Sequence, residues 1–109
     1  MKVIENSLIP FKGYLAINLF GVVFTRNKAK FLSNPKNTRH EYTHTLQYKE
    51  LGYVGFLPVY LWFWFIGLIK YKSFNKAYRL NPLEQEAYDN EGIEWYNECR
   101  EEFAWKVYI

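Results

Sequence analysis

The sequence predicts an α+β fold, mainly α: a β-hairpin or one bent strand near the N-terminus, then three helices, in a single domain over residues 1–109. Three observations predict it. Residues 14–25 concentrate β-branched and aromatic side chains around Asn18 and Gly21, two Asn-Pro pairs mark helix starts further on, and a glycine-flanked apolar stretch lies between those pairs. With 109 residues, 50% hydrophobic and 21% aromatic, the chain can build one core unaided and is not disordered. Its single cysteine, Cys99, excludes an internal disulfide.

Taken in order, Tyr14 to Thr25 reads as the β element. Ser33-Asn34-Pro35 puts a capping side chain before a proline at the first helical position. The helix it opens should run from Pro35 to about Leu51, where Gly52 stops it. A second helix should cover Phe56 to Tyr71, with Pro58 tolerated in its first turn. Ser73 to Leu80 reads as a connector. Asn81-Pro82 repeats the start signal and opens a third helix reaching Phe103.

Charge is divided along the chain. Residues 1–80 carry 12 Lys/Arg against Glu5, Glu41 and Glu50, a balance of +9, while residues 81–109 carry Arg100 and Lys106 against eight acids, a balance of −6. The basic residues are scattered, and two parts of opposite sign packing together explain the split, so no nucleic-acid partner is expected. Lys2 and Glu5 interrupt any apolar leader, which points to a cytoplasmic protein.

Leu51 to Ile69 is nineteen residues without a charge, followed by Lys70 and Lys72. Gly52, Gly55, Pro58 and Gly67 limit its continuous helical part to about Val59–Ile69, too short for about 30 Å of hydrocarbon at 1.5 Å per residue. A buried core helix is the first expectation for this segment, with Trp62 and Trp64 filling grooves. A peripheral membrane contact through Leu51–Ile69 is the second.

Both histidines of the chain fall in His40-Glu41-Tyr42-Thr43-His44, inside the first expected helix. Residues four apart sit roughly 6 Å along a helix and about 40° around it, so both imidazoles reach one ion. Glu41 is rotated about 100° away and can instead serve as a general base beside a metal. That arrangement suits zinc and hydrolysis. A chance surface pair is the bland alternative.

A third ligand must be sought elsewhere, and a carboxylate is the natural choice. Glu84 and Glu86 compete for the role. Helical phase aligns Glu84 with Tyr88, Trp95 and Cys99 on an apolar stripe, whereas Glu86 sides with Asp89, Asn90, Asn97 and Arg100 on what reads as the solvated face. Glu84 is preferred and Glu86 is the fallback. Glu84 could also close a capping box onto the Asn81 backbone. Gln47, one turn beyond His44, is placed to brace the site.

The motif His40–His44 with the downstream Glu84-x-x-Ala87 resembles the gluzincin metallopeptidases. The whole chain also resembles small bacterial HExxH proteins, through Ile9-Pro10-Phe11-Lys12-Gly13, Asn18-Leu19-Phe20-Gly21, His40 to Gln47, Ala77-Tyr78-Arg79 and Glu84-x-Glu86-Ala87-Tyr88. The resemblance implies a minimal zincin-like domain holding Zn2+ through His40, His44 and Glu84. Many gluzincins carry Asp directly after the alanine, where it supports a ligand histidine; here that position is Tyr88.

The reading that follows is a zinc-dependent hydrolase of peptide or protein substrates. Glu41 would take the proton from zinc-activated water and return it to the leaving amine. An oxyanion donor must be a tyrosine or arginine, with Tyr88, Tyr78 and Arg79 as candidates. Residues 14–25 could offer an edge to an extended peptide, or merely cover the helices. Two other readings stand beside this one: a zincin-like structural or binding module without catalysis, and a peripheral membrane protein.

Overall fold

The structure is a computed structural model that describes residues 2–9 and 14–109; residues 10–13 of the shared run named above lie outside it. It is α+β and mainly helical, with a three-stranded sheet at the N-terminal end followed by helices. Strands β1 (Lys2–Glu5), β2 (Ala16–Leu19) and β3 (Val22–Thr25) are ordered β1-β3-β2, with β1 parallel and β2 antiparallel to β3. The expected β element is therefore a hairpin. Its loop is Phe20-Gly21, both at positive φ (55° and 87°), the signature of a type I′ turn whose twist suits paired strands. β1 escapes sequence reading because four residues, Lys-Val-Ile-Glu, carry too little pattern.

A short helix, α1 (Lys28–Leu32), capped by Asn27, adds another element that no strong sequence signal announces. α2 (Pro35–Glu50) starts where expected: the Asn34 side chain accepts from Lys36 N–H and Pro35 opens the first turn. Gly52, at φ 68°, follows its end. α3 (Phe56–Tyr71) matches its expected range. The expected connector after it is mostly helical: α4 (Phe74–Arg79) starts at a Ser73 cap. Gly67 is where α3 and α4 pack closest, since a β-carbon there would lie 3.0 Å from Ala77 Cα.

The third expected helix is broken in three. α5 (Pro82–Asn90) ends before Gly92, α6 covers Tyr96–Cys99, and a 3-10 turn covers Ala104–Tyr108. The apolar stripe expected through Trp95 and Cys99 does not form, and both are exposed. The core sits between α2, α3, α5 and the C-terminal turn, around Tyr48, Phe56, Leu83 and Trp105.

α3 corrects a further expectation. It is not a buried core helix: within it only Phe56 and Gly67 are buried, and Trp62 stands in solvent. Its neighbours cover one side only. Among the described residues no helix is long and apolar enough to cross a membrane.

Candidate metal centre

The centre is built where α2 crosses α5. α2 is gripped from outside by the hairpin. Asn18 donates its amide to the Glu41 carbonyl and to Thr45 Oγ1, each at 2.9 Å, and Tyr48 donates to the Asn18 carbonyl at 3.0 Å. Those three α2 residues lie four and three positions apart, so one face of the helix is clamped along two turns. The adjacent face carries both histidines toward α5.

There Glu84 Oε1 lies 3.2 Å from His40 Nε2 and 3.1 Å from His44 Nε2, all three side chains buried. Their ligand atoms fall within 4.8 Å of one another. A tetrahedral zinc site with bonds of about 2.0–2.1 Å has ligand-to-ligand edges of about 3.3 Å, so two of the three edges are already near the required length. Glu84 Oε2 accepts from Tyr60 Oη at 2.9 Å, which fixes the carboxylate plane. No capping box forms: Asn81 caps Leu83 N–H itself, and the Glu84 carboxylate serves the histidines.

Each histidine has its second ring nitrogen held. His40 Nδ1 is 2.9 Å from Glu91 Oε2, and His44 Nδ1 is 2.8 Å from Gln47 Oε1. The Gln47 amide nitrogen donates to the Leu83 carbonyl and to Glu86 Oε1, so its oxygen must face His44 and His44 Nδ1 must donate. A carboxylate opposite His40 requires the same of that ring. With Nδ1 committed as donor in both rings, Nε2 is the nitrogen turned to Glu84: it donates a proton there, or gives that proton up to ligate a cation. Glu91 thus supplies the carboxylate support that Tyr88 does not. One sequence signal could find it: Glu91 lies seven residues beyond Glu84 and shares its face. Nothing in the sequence marks Tyr60.

Electrostatics follow from this packing. Burial opposes ionisation of Glu84, but the His44 charge and hydrogen bonds from both histidines hold its carboxyl well below the usual range. For His44 burial works against the charged form, yet the Glu84 charge and hydrogen bond, with Glu41 and Gln47, raise it to about 9. Glu41 is different. Burial dominates and pushes its carboxyl up, and neither histidine's charge cancels that. It has no hydrogen-bond partner among the described residues and lines the cleft, as a proton acceptor awaiting a partner would.

Glu86 is the largest correction. Rather than facing solvent, it is fully buried (0% exposed). Because α5 ends at Asn90, the returning chain lays Tyr96 and Arg100 over it; Arg100 binds both its oxygens at 2.8 and 3.0 Å, and Tyr96 Oη donates at 2.7 Å. Arg100 also pairs with Glu50. Glu86 is thereby committed elsewhere and is not brought to the histidines.

Tyr88 packs its ring edge-on against His40 at 4.5 Å and shares a 3.0 Å hydrogen bond with Tyr78 Oη. One hydroxyl of that pair donates, which leaves the other O–H without an acceptor among the described residues. Arg79 lies 4.0 Å over the Tyr88 ring. A cleft of two parts flanks the centre. A largely apolar cavity of about 440 Å³ runs past His44 to Tyr48, Phe56, Tyr60, Trp64 and Phe74. A smaller one of about 250 Å³ lies toward Phe31, Asn37, Tyr88 and Glu91. His40, Glu41, Tyr78 and Tyr14 border both.

No protein-family profile, curated protein or solved structure matches the chain.

Proposed function

We propose that this protein is a minimal zinc-dependent hydrolase acting on peptide bonds. One observation carries the reading: two imidazole nitrogens and a carboxylate oxygen, from helices forty residues apart in sequence, converge with the Nδ1 of each imidazole already engaged, so that Nε2 is the nitrogen left for an ion. His40, His44 and Glu84 would hold the ion. When bound, zinc supplies the Lewis acidity that makes water a nucleophile near neutral pH.

The remaining work falls to the chain. Glu41, raised by burial and with no side-chain hydrogen bond among the described residues, takes the proton from the attacking water and delivers it to the leaving amine. The spare hydroxyl of the Tyr78–Tyr88 pair, on residues that line the cleft, is the candidate donor for the developing oxyanion. β2 is an edge strand whose residues line the larger cavity, a place where an extended peptide can add as a further strand.

The test is zinc quantification with a peptide-library cleavage assay on wild type and Glu41→Gln. Stoichiometric zinc in both proteins, with cleavage in the first alone, is the expected result. Zinc without cleavage in either would replace the enzyme by a metal-holding binding module, and absence of zinc would remove the site.

A further inference from the structure

The side of α3 turned away from the domain carries no polar residue. Pro58, Leu61, Trp62, Phe65, Ile66 and Ile69 fall within an arc of about 140° at 100° per residue, and all are exposed. Leu61 is 56% exposed, Trp62 62%, Phe65 55% and Ile69 65%. Scattered apolar side chains on a surface mean little, but an unbroken helical face of them does. Phe74, 71% exposed at the start of α4, continues the surface past the helix end.

Charge says what covers it. From Leu51 to Leu83 there is no Asp or Glu, while Lys70, Lys72, Lys76 and Arg79 gather at the C-terminal end of α3 and along α4, all exposed. A second copy docking by this face would find no acid in the same segment to meet those cations. An anionic lipid surface meets both demands at once: headgroups for the lysines, and acyl chains for the apolar arc with Trp62 at the boundary. The 16 residues of α3 make a rod of about 24 Å, which suits lying in the interface rather than crossing it.

We propose that α3 docks this protein on the surface of an anionic bilayer, apolar arc down and Lys70, Lys72 and Lys76 among the headgroups. The docked face adjoins the cleft, since Trp64 and Phe74 line the larger cavity. The proposal stands whether or not the centre binds zinc.

Vesicle flotation of the whole chain tests it, with phosphatidylcholine alone or mixed equally with phosphatidylglycerol. The protein should float with the mixed vesicles and its tryptophan emission should shift to the blue. Phe65→Glu with Ile69→Glu should abolish flotation; both residues are exposed, and circular dichroism should be unchanged. Lys70→Glu with Lys72→Glu should weaken binding by at least about fivefold per lysine. Failure of the wild type to float, or flotation undiminished in the Phe65/Ile69 variant, would overturn the proposal. So would a dimer that the Phe65/Ile69 variant dissociates and vesicles do not.

Discussion

Glu84 and Glu86 stand two residues apart on α5, both buried, and the molecule balances their charges by different means. Glu86 faces the Arg100 guanidinium in a two-pronged ion pair, with Tyr96 and Gln47 completing its shell. Arginine does not give up its proton, so that charge pair is permanent and its role is structural. Glu84 faces two imidazoles and a phenol. Imidazole can exchange its proton for a metal, so the positive charge opposite Glu84 is replaceable. A buried carboxylate is costly unless paired, and the kind of cation that pairs it separates a structural site from a chemical one.

The comparison can be broken most forcefully from the Arg100 side. Arg100→Ala strands two carboxylates, Glu86 and Glu50, and should cost about 3–5 kcal/mol, a large part of the roughly 5–15 kcal/mol that holds a domain of this size. A urea denaturation curve checks it, and Arg100→Lys, which keeps the charge but loses the fork, should fall in between. If Arg100→Ala leaves the urea midpoint in place, the permanent-pair reading of Glu86 fails.

Next comes zinc affinity. Glu84→Ala should weaken it by more than the roughly 10–100-fold typical of losing a supporting group, while Glu86→Ala should leave zinc nearly stoichiometric and lower stability instead. Competition with a fluorescent chelator separates the two outcomes; the reverse ranking would exchange the roles assigned to the two carboxylates. Smallest of the three, Glu91→Ala and Gln47→Ala should each reduce zinc affinity about 10-fold by freeing one imidazole to turn. Wild-type affinity in both variants would show that α2 alone orients the rings.

What the sequence made legible was local. The Asn34-Pro35 cap, Gly52 and the four-residue spacing of the histidines each act within a turn or two of backbone, so α2 and its paired imidazoles could be read directly. The helical phase that prefers Glu84 over Glu86 points to the carboxylate that lies beside both histidines, but by a partly wrong route. That phase assumes one helix to Phe103, whereas the chain turns after Asn90, which dissolves the stripe and buries Glu86 while Asp89 on the same face stays exposed. The Arg100 pairing, the Tyr60 bond to Glu84 and the Asn18 clamp are tertiary contacts between segments at least 14 residues apart, and no periodicity encodes them. α3 misled for a related reason: a helix apolar all round predicts burial only if the rest of the chain is large enough to surround it.

Gly67 has a reach that its position on the far side of α3 conceals. It lets α4 lie close against α3, and Tyr78 follows directly on Ala77. A methyl group there would meet Ala77 Cα at 3.0 Å and Cβ at 3.1 Å, tight enough that α4, which carries Tyr78, would have to give by a few tenths of an ångström. A residue that touches neither histidine nor carboxylate thus fixes how closely the helix that carries Tyr78 lies against α3.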